Sequence, residues 1–141
     1  MGSGSGGERL SYALALHTTK GTLGGGNSFR ENLPELLSVA PLNKNGLFGS
    51  KSPKSRRNVR VIECTNPARS AYEFAQKATK GFVSMTTIPG KGYIMRMYDG
   101  TLITYRYISS SPDKSPVVEL KINNFKRVKS QKIHFVKGNN K

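Results

Sequence analysis

Apolar and polar positions alternate most regularly in the second half of the chain, and that half sets the predicted architecture. Asn58-Val-Arg-Val-Ile-Glu-Cys64 reads as a strand. Asn66-Pro67 then sets up a helix start, with Asn66 as N-cap and Pro67 in the first position. Ala71, Phe74, Ala75 and Ala78 fall on one face at helical spacing, and Gly81 stops the helix after Lys77 and Lys80. Strand patterns follow at Phe82–Met85 and Tyr93–Tyr98, and Asp99-Gly100 is a strong hairpin turn leading into Thr101–Ile108. A polar loop over Ser109–Pro116 connects to strands at Val117–Ile122 and Gln131–Val136. The pattern predicts an α+β fold, with an N-terminal helical region packed on a twisted antiparallel sheet of four to five strands.

The front of the chain carries no such regularity. Residues 1–7, Met-Gly-Ser-Gly-Ser-Gly-Gly, read as a linker or cloning remnant. Residues 8–57 read as a partly helical, loop-rich basic region. Arg9–Leu16 suits a short helix or strand, and Gly24-Gly-Gly26 interrupts. Asn32–Val39 suits a helix with Asn32 as cap and Pro34 in its first turn. Gly46–Arg57 is rich in Gly, Ser, Pro and Lys, as a flexible loop would be, and a boundary is expected there. Residues 58–141 are then the expected α+β catalytic core.

Charge narrows the choice of partner. The 141 residues hold 23 Lys and Arg against 8 Asp and Glu, a net +15. Such an excess disfavours compaction through self-repulsion and goes beyond the ~2–8 charges that solubility asks of a small domain. A polyanion explains it better, since each neutralised phosphate releases counterions. The excess is +10 from Asn58 onward (15 basic, 5 acidic) and +5 before it (8 basic, 3 acidic). No amphipathic basic helix or long apolar run supports a membrane role. The single cysteine, Cys64, allows no internal disulfide and suits a reducing compartment; a half-buried strand cysteine is its simplest reading.

Candidate chemistry follows from what is present. Phosphate-binding loops, dinucleotide fingerprints, nucleophile elbows and two-His metal spacings are absent. Asp99, Asp113 and Glu119 are too scattered for a two-metal nuclease, so neither metal nor cofactor is expected. Metal-free cleavage suits RNA, whose 2′-hydroxyl attacks the adjacent phosphate given a base, an acid and cations. Period-2 alternation puts Lys132 and His134 on one face of the last strand, and Thr104 and Arg106 on one face of an earlier one. If both line one sheet, His134 is the acid or base and Arg106 and Lys132 stabilise charge. Ser109, Ser110 and Ser111 add hydrogen bonds. Tyr105, Lys126, Arg127 and Lys129 are the expected RNA-binding set. A strand histidine also suits an ordinary surface role, and Glu119, alternating with Val118 and Leu120, reads as solvent-facing while remaining a possible general base. His17 paired with His134 is a further catalytic option.

Several segments, in order, resemble the C-terminal toxin domains of bacterial polymorphic toxins, including those of contact-dependent growth inhibition. They are Asn66-Pro67 with its helix to Gly81, Asp99-Gly-Thr-Leu-Ile-Thr-Tyr-Arg106, Ser109-Ser-Ser111, Ser115-Pro-Val-Val-Glu-Leu120 and Lys132-Ile-His-Phe-Val136. Such domains are similar to the barnase/EndoU/colicin/RelE group. The resemblance implies a metal-independent ribonuclease, with transfer RNA the leading substrate, held in check by a cognate immunity protein. It adds elongation factor Tu as a partner of some members. It also implies delivery from the cell surface or by secretion within a larger toxin, and action in the target cytoplasm. By position it points to Thr104, Arg106, the Ser109–Ser111 loop and His134. The rival expectations are a DNase toxin and a non-catalytic RNA-binding module.

Overall fold

The computed structural model describes residues 26–53, 58–108 and 114–138. His17, Ser109, Ser110, Ser111 and the Arg9–Leu16 segment lie outside the described residues. Two helices and seven strands are described in the order α1 (Phe29–Leu37), β1 (Ser50–Lys51), β2 (Val59–Cys64), α2 (Pro67–Ala78), β3 (Ser84–Ile88), β4 (Gly92–Arg96), β5 (Leu102–Arg106), β6 (Val117–Lys121) and β7 (Gln131–Lys137). The strands form one sheet in the order β1-β2-β7-β6-β5-β4-β3.

The fold is α+β, but its sheet is larger than the pattern predicted and is mixed. The five strands after α2 make the antiparallel meander. β2 then joins its β7 edge in parallel, with Val61 opposite His134, and β1 pairs antiparallel outside β2. The reason is non-local: no turn signal links β2 to β7, because α2 and four strands lie between them in sequence. β1, at two residues, is too short to carry a pattern.

α2 forms as its sequence dictates. The Asn66 side chain accepts from the Arg69 N–H, Pro67 sits in the first turn, and Ala71, Phe74, Ala75 and Ala78 are buried. α1 differs from expectation. Ser28, not Asn32, is its cap, in a reciprocal box with Glu31: the Ser28 side chain accepts from the Glu31 N–H while the Glu31 carboxylate accepts from the Ser28 N–H. Asn32 turns inward and donates through Nδ2 to the carbonyls of Ala78 and Lys80, at the end of α2. The Ala78 carbonyl, in the last turn, has no partner within the helix, so the amide satisfies it in the buried end of α2.

One core holds the molecule together. α2 lies across β2, β5, β6 and β7, and α1 packs on α2. Met95, Ile103, Tyr105, Val118, Leu120, Ile133 and Phe135 supply the helix-facing side of the sheet. Phe74 of α2 meets Phe48 and Phe135 edge-on, at 5.0 and 5.6 Å between ring centres. The expected boundary near Gly46–Arg57 therefore does not separate a loose front from a self-contained core. Phe29, Leu33, Leu36 and Phe48 all belong to the shared interior. Buried polar groups fix Phe48 in place: its N–H donates to Gln131 Oε1, and Arg60 donates to its carbonyl. Phe29, Leu33 and Leu36 follow helical spacing, whereas Phe48, isolated among Gly, Ser and Lys, shows no period, so its burial was invisible in sequence.

Candidate functional site

The side of the sheet away from the helices carries a polar cluster built on three adjacent strands. Because successive strand residues point to opposite faces, burying Ile103, Tyr105, Val118, Leu120, Ile133 and Phe135 turns Thr104, Arg106, Glu119, Lys132 and His134 the other way. Register then sets their neighbours. Thr104 lies opposite Glu119, and Glu119 opposite Lys132. One step along, Arg106 lies opposite Val117, and Val117 opposite His134. All four residues that period-2 reasoning singled out are thus on one face. β6 separates β5 from β7, so the backbones carrying Thr104 and Arg106 lie about 10 Å from those carrying Lys132 and His134.

Glu119 fills that gap. It stands directly across from Thr104 and Lys132, and diagonally from Arg106 and His134, where Cβ separations are about 7–8 Å. Its carboxylate is 4.0 Å from Arg106 Nη1, with both side chains part-exposed. A solvent-exposed pair this loose contributes at most ~1 kcal/mol, so fold stability does not explain why it is there. Glu119 is solvent-exposed, as its alternation with Val118 and Leu120 predicted. Meander order adds its neighbours, because β6 lies between β5 and β7 and supplies the middle of their shared face.

His134 is held from behind. Its Nδ1 lies 3.3 Å from Ser115 Oγ, and Ser115 is only 7% exposed. Fixing one ring nitrogen leaves the position of Nε2 defined. Val117, fully buried, forms an apolar floor between His134 and Arg106. Gly92 pairs with Arg106, and a Cβ there would collide with the Tyr105 carbonyl, so only glycine lets β4 approach β5 this closely.

Other predicted binders fall elsewhere. Tyr105 is a correction: at 1% exposure it packs in the core and has no ring face for a base. Lys126, Arg127 and Lys129 are exposed on the connection between β6 and β7, at the opposite end from the Ser115–His134 pair. That connection packs toward α1, with Phe125 6.3 Å from Phe29 and Arg30 stacked 4.6 Å above Phe125. Cys64 is half-buried on the helix side of β2. Burial pushes its thiol up from the usual range, and a hydrogen bond with Ser70 opposes part of that rise. A groove of about 620 Å³ lies at the β1–β2 edge, lined by residues such as Leu42, Leu47, Pro53 and Val61. It holds few groups capable of chemistry.

Among the described residues, no three His, Cys, Asp or Glu side chains cluster as a metal would need, and no helix is long and apolar enough to cross a membrane. The fold is α+β, and its mixed sheet carries Thr104, Arg106, Glu119, Lys132 and His134 on one face. Comparison with family models, curated proteins and solved structures gives no match.

Proposed function

We propose that this face is the active surface of an antibacterial toxin ribonuclease, cutting RNA without a metal through attack by the 2′-hydroxyl. The observation that carries the reading is the placement of Glu119 between Arg106, Lys132 and His134 on one open face of a chain with net charge +15. The acid, the histidine and the two cations are the groups this reaction needs.

Each then has a role. Glu119 takes the 2′-hydroxyl proton as the 2′-oxygen bonds to phosphorus. His134, as imidazolium, donates from Nε2 to the departing 5′-oxygen as the P–O5′ bond breaks, while Nδ1–H donates to Ser115. Arg106 and Lys132 stabilise the charge that builds on the phosphorane oxygens, and the Thr104 hydroxyl positions the phosphate. The products are a 2′,3′-cyclic phosphate and a free 5′-hydroxyl, so protons and bonds balance without a further reactant.

Within this reading the substrate is transfer RNA and the inhibitor is a cognate immunity protein. Elongation factor Tu is a candidate accessory partner. Delivery is from the cell surface or by secretion as part of a larger toxin, with action in the target cytoplasm. The resemblance carried by Asn66–Val136 supports these points, and the basic surface supports an acidic inhibitor. The barnase/EndoU/colicin/RelE-like architecture belongs to the same proposal.

The test is incubation of the purified chain with deproteinised RNA and duplex DNA in EDTA, followed by analysis of the ends. Cyclic-phosphate ends on RNA alone are expected. Glu119→Gln and His134→Ala should each lower the rate about 10²–10⁴-fold while RNA binding persists. Binding without any cleavage would replace the enzyme by an RNA-binding module, and cutting of DNA would favour the DNase.

A further inference from the structure

The open face continues past the proposed reacting groups toward the β4–β5 hairpin. One step beyond Thr104, Glu119 and Lys132 the register aligns Lys121 of β6, Leu102 of β5, Arg96 of β4 and Ser84 of β3. Lys121 and Arg96 are exposed, and Leu102 between them is half-buried. Tyr98 follows at the hairpin tip. At 65% exposure it is the only aromatic side chain among the described residues that stands largely in solvent.

Its backbone is nevertheless fixed. The Tyr98 N–H donates to the Asn27 carbonyl, and Gly100, at φ +90°, closes the turn by donating to the Met97 carbonyl. Asn123 Nδ2 donates to the Asp99 carbonyl from the other side. The acid beside the ring is turned away from any ligand here: the Asp99 carboxylate accepts from the Thr101 N–H and from the Phe29 N–H at the start of α1. The ring thus stands exposed on a hydrogen-bonded turn two residues past Arg96, with its neighbouring acid occupied inward.

We propose that Tyr98, Arg96 and Lys121 form a nucleotide subsite that extends the substrate to single-stranded RNA. This rests on the ribonuclease reading of the same face. A base stacks on Tyr98, a sequence-tolerant interaction because every base has a π face. Arg96 and Lys121 take the phosphates leading to it. Rows on one face of a strand recur about every 7 Å, so the step from Glu119 to Lys121 matches the advance of an extended strand by about one nucleotide. A duplex keeps its bases stacked inside and offers none to Tyr98.

Fluorescence anisotropy with a labelled 2′-O-methyl 12-mer, which the 2′-hydroxyl route does not cut, tests the subsite apart from cleavage. The single strand should bind more tightly than the duplex of the same sequence. Tyr98→Ala should weaken single-strand binding about tenfold, Tyr98→Phe should retain it, and duplex binding should change little. Because Tyr98 is exposed, an unchanged melting temperature for both variants checks that they fold. Equal single-strand affinity for the wild type and Tyr98→Ala overturns the subsite and leaves the hairpin tip to a protein partner. Tyr98-dependent binding with no cleavage of unmodified RNA overturns the ribonuclease reading and keeps the subsite.

Discussion

Ser115 illustrates what one contact does at the residue scale. It lies almost wholly buried before β6 and meets His134 at Nδ1, so its task is to orient the ring and not to touch substrate. A single hydrogen bond of this kind is worth ~1 kcal/mol. Ser115→Ala should therefore slow RNA cleavage about five- to tenfold, and ¹⁵N NMR of the imidazole should show an altered proton distribution between its two nitrogens. Ser115→Thr, which keeps the hydroxyl, should restore both; a rate loss with an unchanged NMR signature would point to a merely structural serine. Cys64 makes the opposite case, a chemically able group kept quiet. Burial disfavours its thiolate, so alkylation by iodoacetamide at pH 8 should be slower in the folded chain than in the urea-unfolded one. The sign for stability follows. A thiol raised in the fold contributes fully below its ordinary value of 9.0, and that contribution fades as pH rises through the folded value. Single residues announced themselves unevenly in the sequence. His134, Arg106 and Glu119 were visible as polar residues in apolar strands, whereas the neighbours of Glu119 and the contact of Ser115 came only from the strands beside them.

Helices and strands were legible where the chain itself satisfies their ends. Asn66, Pro67 and the apolar stripe of α2 are local signals, and the Asp99-Gly100 turn needs only neighbours in sequence. α1 was misread by several residues: Ser28 and Asn32 are both good caps, the Ser28–Glu31 box marks the true start within the sequence itself, and contact with the end of α2 occupies Asn32. Asn32 spends its amide on the carbonyls of Ala78, which ends α2, and of Lys80 just past it, 46 and 48 residues away. Asn32→Ala leaves those buried acceptors without this donor and should lower stability by about 1–3 kcal/mol, read by urea unfolding. A change confined to the noise of that measurement would mean that water replaces the amide. Ser28→Ala, which removes only an exposed cap, should cost about 1 kcal/mol.

At the scale of the whole molecule, the front and back of the chain fold together. Phe48 sits between α2 and β7 partners, Gln131 and Arg60 grip its backbone, and α1 covers α2. Residues 58–141 expressed alone should lack the sharp cooperative unfolding and near-ultraviolet circular dichroism of the full chain, since removing Phe29, Leu33, Leu36 and Phe48 opens the core on one side. A cooperative, native-like 58–141 fragment would restore the boundary that composition suggested. The sequence by itself determined the polyanion-seeking charge, the capped α2, the hairpin and the alternation that puts Thr104 and Arg106 on one side of their strand. Each of these is set by neighbours a few residues apart or by a simple sum. Tertiary structure alone decided that β2 joins β7 in parallel, that Phe48 is interior, and that Glu119 stands among Arg106, Lys132 and His134. Those outcomes depend on pairings between distant segments, whose free energy lies in shared burial and register and leaves no local trace in the chain.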